Sequence, residues 1–353
     1  MPRLLRFAVL LPALLLLGGC AAPDEGKGTV FYLVPSLLDE FQTESVKAIE
    51  EAFTALGYRV RVLDAQNRAE VQLNQLDDAL LLGPAAVIIA AVDYDSVVPG
   101  IERVRAAGVP VLAFDRLVTG TQVDLSVVAG TVEMGRMAAR EIVRLLEARH
   151  GAAQGTVLQI MGDPGDNYTL DIRQGFEETM QGYPRVQVVT KAAMQWEASN
   201  AGDIAEDQLL VQPDLDLIFV HAAHLAVPVV AVLEARGKAP GDVLLVSSNG
   251  APVGLDLIRQ GWEQVEIEQP LYAQVHGMAR FVDALVAGEP PTPGSYPILG
   301  LDATLSVQPW GPTLEIPGSV ITRENVDDAR FWGNRTPPPA PAPAEDERAG
   351  ASP

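Results

Sequence analysis

The residues best equipped for chemistry in this sequence stand where apolar runs end. Val109-Pro110-Val111-Leu112-Ala113-Phe114 delivers Asp115 and Arg116 side by side. A carboxylate there can accept from two neighbouring hydroxyls, and a guanidinium can donate in a planar fork. Vicinal diols need that combination, although the same pair could simply close a strand end. Gly162-Asp163-Pro164-Gly165-Asp166-Asn167-Tyr168 follows another apolar run, opens a helix and offers the Asn167 amide. Further along that helix, Arg173 either reaches the cleft or pairs with Glu177 at i+4, and the pairing is preferred. Gln195-Trp196 comes after Val186–Val189 and before a helix beginning near Glu197. Trp196 could stack on a ring or be buried in a hinge. Phe41, after the first apolar run, could offer its face to the C–H side of a ring or pack under the first helix. His221 and His224 share a strand-to-helix junction at i, i+3, but no acid or cysteine lies at ligand spacing, so no metal is expected. His150 and His276 are isolated.

Several enzyme signatures are missing. The chain has no G-x-S-x-G, no G-x-x-x-x-G-K-[ST], no H-E-x-x-H, and no G-x-G-x-x-G after its first apolar run. Carboxylates are plentiful, but no pair stands out as a glycosidase acid and base. A net charge of −21 opposes binding to phosphate backbones. Aromatic residues make up only 6%, which disfavours base-stacking platforms. The single cysteine excludes an intrachain disulfide and a cysteine-based zinc cage.

These residues need elements to position them. Apolar, Val- and Ile-rich runs at Thr29–Val34, Arg59–Leu63, Ala86–Ala90, Val109–Phe114, Thr156–Ile160, Val186–Val189, Leu215–Val220 and Val243–Ser247 read as strands covered on both faces. Helical spacing fills the intervals. Phe41–Leu56 stops at Gly57, Val98–Ala107 at Gly108 and Leu225–Ala235 at Gly237, and Met134–Leu146 behaves likewise. Alternation of strand and helix implies parallel sheets with right-handed crossovers. Four units fill 29–114 and a comparable set fills 156–268, with a strand-poor stretch at Asp115–Val128 between them. The expected fold is α/β: two doubly wound parallel-sheet lobes with a ligand cleft at the C-terminal ends of their strands.

The ends differ from the body. Residues 1–20, MPRLLRFAVLLPALLLLGGC, combine Arg3 and Arg6 with an apolar run too short to span a bilayer and small residues before Cys20. This is the layout of a secretory signal, and Leu17-Gly18-Gly19-Cys20 resembles the bacterial lipoprotein box, in which the cysteine is lipidated. Residues 21–27 read as a tether. Residues 335–353 are Pro/Ala-rich without apolar periodicity and read as a disordered tail.

From Gly28 to Asn334 the chain resembles the sugar-binding proteins of bacterial ABC importers. This is the ribose-, galactose- and xylose-binding class with the type I periplasmic binding protein fold, and the xylose-binding branch looks nearest. The resemblance is carried by Glu40-Phe41-Gln42, Val109–Arg116, Gly162–Asn167, Gln195-Trp196, and the run Val320-Ile321-Thr322-Arg323-Glu324-Asn325-Val326 with Phe331-Trp332-Gly333-Asn334. It implies two lobes, 28–130 plus 270–300 and 131–269 plus 301–334, joined by three crossings and closing on a pentose, hexose or related polyol. It also implies ligand contacts at Phe41, Asp115, Arg116, Asn167, Trp196, Asn249 and Gln269. Two family positions depart from the pattern: Ala222-Ala223 stands where Asn-Asp is usual, and Asn249 where Asp is usual. Two hydroxyl-binding groups are thus absent and one charge is neutralised, which leaves the sugar's identity open. The implied protein is a monomeric, non-enzymatic receptor anchored through Cys20 in the periplasm or at the cell surface. Its partners would be a sugar and an ABC permease, with no cofactor, metal or nucleic acid. The alternatives are a sensing module feeding a chemoreceptor or sensor kinase and, less favoured, a secreted carbohydrate-active enzyme. No helix-turn-helix precedes Gly28, which disfavours the repressor use of the same fold.

Overall fold

A computed structural model describes residues 26–335 except Asp39. The signal, Cys20, most of the tether and the tail beyond Arg335 lie outside the described residues.

The first lobe is built from β1 (Thr29–Val34), α1 (Glu40–Ala55), β2 (Arg59–Asp64), α2 (Ala69–Leu81), β3 (Ala86–Ile89), α3 (Val98–Ala106), β4 (Val111–Phe114) and β5 (Leu125–Ala129). The chain then enters the second lobe with α4 (Thr131–His150), β6 (Gly155–Met161), α5 (Asn167–Met180), β7 (Val186–Ala192), α6 (Ala198–Val211), β8 (Leu217–Val220), α7 (Ala223–Ala235), β9 (Leu244–Asn249), α8 (Pro252–Gln260) and β10 (Val265–Glu268). It returns to the first lobe for α9 (Leu271–Val286), β11 (Gly294–Ile298), β12 (Leu301–Gln308) and β13 (Gly311–Ile316), and ends in the second with β14 (Ser319–Thr322).

The first sheet has the order β11-β12-β13-β5-β4-β3-β1-β2, the second β14-β10-β9-β8-β6-β7. Their wound parts are parallel; the β11–β13 meander and β14 add antiparallel edges. The chain changes lobe between Ala129 and Thr131, between Glu268 and Leu271, and between Ile316 and Ser319. The last position corrects the expected boundary at 300: residues 301–316 complete the first lobe's sheet, with β13 running parallel to β5.

The strand-poor interval at Asp115–Val128 also needs correction, because β5 begins inside it and is wholly buried. It is short and Ser126 interrupts its apolar run. β10 was hidden in the same way: its sequence, VEIE, carries two glutamates, yet all four residues are buried. β2 departs differently. It is an edge strand with Arg59 and Arg61 exposed, not one covered on both faces.

Packing fixes the elements that carry the cleft. α4 and α5 approach so closely that a Cβ at Gly135 would lie 2.1 Å from the Ile172 carbonyl oxygen, and one at Gly175 1.8 Å from that of Val132. Only glycine permits that crossing, which sets the start of α5 beside the cleft. A second device lies after β14. Trp332, 2% exposed, places its ring edge-on to Phe41 of the first lobe and donates from Nε1 to the Asn249 carbonyl of the second, 2.7 Å away. Trp332, Ala223 and Ala251 thereby join the first lobe's core, so apolar packing as well as chain crossings links the lobes.

Candidate functional site

Between the lobes lies a cavity of about 550 Å³. On the first-lobe side β4 ends at Phe114, and the next residue, Asp115, turns with φ +66°. Left-handed backbone is uncommon for any residue but glycine, and Asp and Asn tolerate it best. The turn aims the Asp115 carboxylate at the cavity. There it accepts from Gln269 Nε2, on the hinge, and from Gln42 Nε2 at 3.4 Å, on α1. Gln42 is itself held, accepting from the Tyr32 hydroxyl at 3.2 Å. Two amide donors thus fix the carboxylate at the cavity wall. Phe41 is buried, lies parallel to Phe114 with centroids 6.4 Å apart, and still lines the cavity. Packing under the helix and facing the cleft are therefore compatible.

Arg116 lies between the lobes. It donates to the Ala91 carbonyl at 3.0 Å, and its guanidinium stands 4.0 Å from the Asp115 carboxylate and 3.6 Å from that of Asp166. Asp166 caps α5, accepting from Tyr168 N at 3.0 Å. Tyr94, from the first lobe, donates to Asp166 at 3.0 Å and accepts from Asn167 N at 2.9 Å. Burial, reinforced by the Asp166 charge, raises the Tyr94 hydroxyl pKa above the ordinary phenol range and keeps it a donor. The lobes are thus latched by Tyr94, Arg116 and the start of α5.

This start corrects one expectation. Asn167 does not line the cavity; Asp166 and Tyr168 on either side of it do. Asp166 is the cap, so the first helical residue turns its N–H to Tyr94 rather than its amide to the cleft. Both Asp166 and Tyr168 lay within the Gly162–Tyr168 motif, which marked the segment without selecting the residue.

Trp196 forms the opposite wall. Gln195 and Trp196 have φ of +57° and +58°, and Gln195 N donates to Asp163 at 2.7 Å. The indole lies flat on Gly162, where a Cβ would fall 2.1 Å from the ring. Five of the seven non-glycine residues with positive φ among the described residues line this cavity: Asn67, Asp115, Gln195, Trp196 and Asn249. Backbone strain of this kind persists where the surrounding structure enforces it, and it clusters at ligand sites.

Asn249 and Gln269 both line the cavity at the hinge. Behind them sit three buried glutamates. Glu263 accepts from the Ser247 hydroxyl and Glu266 from Gly250 N, each at 2.6 Å, and Glu268 accepts from Trp332 N at 3.4 Å. Burial pushes Glu263 up to about 8 and Glu268 up to about 7; burial and then the neighbouring Glu263 charge raise Glu266 as well.

Of the two unusual alanines, Ala222 lines the cavity and Ala223 is buried in the core. His221 and His224 do not converge. His221 is buried beside Gln159 and pushed down to about 3, first by burial and then by the Arg173 charge. His224 is exposed, 3.0 Å from the Trp196 carbonyl. Arg173 pairs with Glu177 at 2.6 Å. Among the described residues no group of three His, Cys, Asp or Glu side chains is arranged to hold a metal. Nor is any described helix long and apolar enough to cross a membrane.

A cleft between two wound α/β lobes, joined by three crossings and lined by polar strand ends, defines a ligand-clasping receptor. Residues 30–290 match the periplasmic binding protein domain, and the chain belongs to that family. It is similar to the ribose import binding protein of Bacillus subtilis, at 27% identity over 63% of this chain and 70% of that one. It is also similar to the D-apiose import binding protein of Actinobacillus succinogenes, at 24% identity over 66% and 74%. Among solved structures, a solute-binding protein from Bacillus halodurans with bound myo-inositol superposes with a TM-score of 0.73 at 21% identity, covering 88% of this chain and 99% of that one. These are substrate-binding proteins, not enzymes, and the shared two-lobed fold is that of the type I class.

Proposed function

We propose that the protein captures a neutral monosaccharide or related polyol between its lobes and delivers it to the membrane subunits of an ABC importer. The observation that carries this reading is Asp115. Its carboxylate is held by two amides at a left-handed turn, beside Arg116 and across the cleft from an indole face. A fixed acceptor, a forked donor and an aromatic plane meet the needs of a ring bearing vicinal hydroxyls. Phe41 and Trp196 would cover the ring's C–H surfaces, and Asp115, Arg116, Asn249 and Gln269 would bond its hydroxyls. The matched relatives named for ribose and D-apiose, and the neighbour holding myo-inositol, support a neutral polyhydroxylated ligand. Placement beside the xylose binders rests on the sequence motifs alone.

No bond is made or broken in this function. The ligand enters an open cleft, the hinges rotate, and the Tyr94–Asp166–Arg116 contacts form as water leaves. The closed form is what a permease would read. Export through residues 1–20 and lipidation of Cys20 would hold this monomer at a bacterial membrane. Cys20→Ser should then move the protein into the soluble fraction, and membrane retention would refute the anchor.

A thermal-shift screen of the full chain tests the ligand class. A ligand bound only by the folded state stabilises it by an amount that grows with the logarithm of its concentration above the dissociation constant. At least one neutral sugar or polyol should raise the melting temperature, and amino acids and nucleotides should not. The reverse pattern would overturn the reading.

A further inference from the structure

Asn249 and Gly250 make the turn at the end of β9, and both have a positive φ, +109° and +90°. Asn249 lines the cavity, and its side-chain amide has no hydrogen-bond partner among the described residues. Where that amide points is therefore set by its backbone. Such a backbone is unfavourable for a residue with a Cβ and persists only where the surrounding structure enforces it.

The peptide between these two residues is held at both ends. Its carbonyl accepts from Trp332 Nε1 at 2.7 Å and from Gln269 N at 3.0 Å. Its N–H donates to Glu266 Oε1 at 2.6 Å. Glu266 reaches in from β10, the neighbouring strand, is fully buried and does not itself line the cavity. Its other oxygen, Oε2, has no hydrogen-bond partner among the described residues. That oxygen rests on Gly254 in the first turn of α8, where a Cβ would lie 2.1 Å from it. Burying a carboxyl with one oxygen unpaired is costly. An apolar side chain would fill the same place in the strand without that cost, so the acid is explained by the peptide it holds. Breaches of local preference of this kind concentrate at functional sites.

We infer that Glu266 is a positioning residue for ligand capture: its carboxyl fixes the Asn249–Gly250 peptide and thereby aims the Asn249 amide at a ligand hydroxyl. This rests on the sugar-binding reading and adds to it a residue that touches no ligand. Glu263 and Glu268 do not share the role, because they accept from the Ser247 hydroxyl and from Trp332 N instead.

The full chain is titrated calorimetrically with D-ribose, D-apiose, D-xylose, D-galactose and myo-inositol, and the tightest binder serves as the probe. Glu266→Leu and Glu266→Met remove the acceptor and should weaken that binding about five- to tenfold, the effect of one hydrogen bond to the ligand. Glu266→Gln, whose amide oxygen still accepts from Gly250 N, should stay within about twofold of the wild type. Asn249→Gly removes the side chain and suits the positive φ. Against that background Glu266→Leu should weaken binding by less than about twofold more, because its effect runs through Asn249. Wild-type affinity in the leucine and methionine variants overturns the inference and leaves sugar binding intact. So does a glutamine variant as weak as they are, or an undiminished loss against Asn249→Gly. If neither apolar variant folds, Glu266 serves the core and the inference fails. An absence of binding by all five probes overturns the sugar reading with it.

Discussion

Asp115→Asn isolates the charge at the centre of the site. The variant keeps the side chain's shape. It also keeps the backbone, since asparagine tolerates the φ of +66° at this turn about as well as aspartate. What changes is one carboxylate oxygen, which becomes an amide donor. Both oxygens face amide donors from Gln269 and Gln42, with the Arg116 guanidinium 4.0 Å away. The new NH₂ group must therefore oppose one of those donors or turn toward the ligand in place of an acceptor. A hydrogen bond to a charged group contributes about 1.5–3 kcal/mol. Loss of one such bond to a sugar hydroxyl corresponds to a roughly 10- to 100-fold rise in dissociation constant. Calorimetric titration gives the affinity, and a urea melt of the ligand-free protein gives the stability. Affinity should fall by that factor while stability moves by less than about 1 kcal/mol, the range of a surface or cleft substitution. A destabilised variant with unchanged affinity would refute the reasoning and assign Asp115 to holding the strand end together.

Three further outcomes follow from the packing. Gly162→Ala puts a methyl where the Trp196 ring now rests, so the indole must leave the cleft wall; sugar affinity should drop and tryptophan fluorescence change, whereas unchanged affinity would remove Trp196 from the site. Trp332→Ala empties a buried volume between Phe41 and Asn249 and should cost about 3–5 kcal/mol in urea unfolding; a loss below about 1 kcal/mol would deny that Trp332 joins the lobes. Glu263 retains its proton up to about pH 8 in the fold, whereas an unfolded glutamate loses it near 4.5. The folded state therefore binds more protons between those values, and stability should fall as pH rises through this window, on the order of 1 kcal/mol per pH unit. Urea melts of Glu263→Gln should show a flatter fall between pH 5 and 8, and a curve parallel to the wild type would show that Glu263 carries no such proton.

The wound lobes were legible because strands covered on both faces are apolar throughout. β1 coincides with its predicted range of Thr29–Val34, and β3, β4, β6, β8 and β9 lie within two residues of theirs. The strands that escaped notice carry polar residues whose burial depends on distant partners. Glu266 in β10 is masked by Gly250 N, and Ser126 by its place in a central strand. The third crossing was misplaced because nothing local distinguishes the β11–β13 meander from second-lobe sequence; its register is set by pairing with β5, more than 180 residues earlier. In the site, Asp115, Arg116 and Trp196 were readable as reactive types at strand ends. Gln42 and Tyr94 were not, since each acts through a partner more than 70 residues away, Asp115 within the same lobe for Gln42 and Asp166 across the cleft for Tyr94. The left-handed turns at Gln195 and Trp196 leave no sequence mark, because neither residue type favours that backbone.

The most direct test is the molecule the protein already holds. The full chain is purified without added sugar and denatured, and what it releases is identified by mass spectrometry. A neutral polyhydroxylated compound at about one per chain is expected, since Asp115 and Trp196 line the same cavity between the lobes. An amino acid, a peptide or a nucleotide released at that stoichiometry would contradict it.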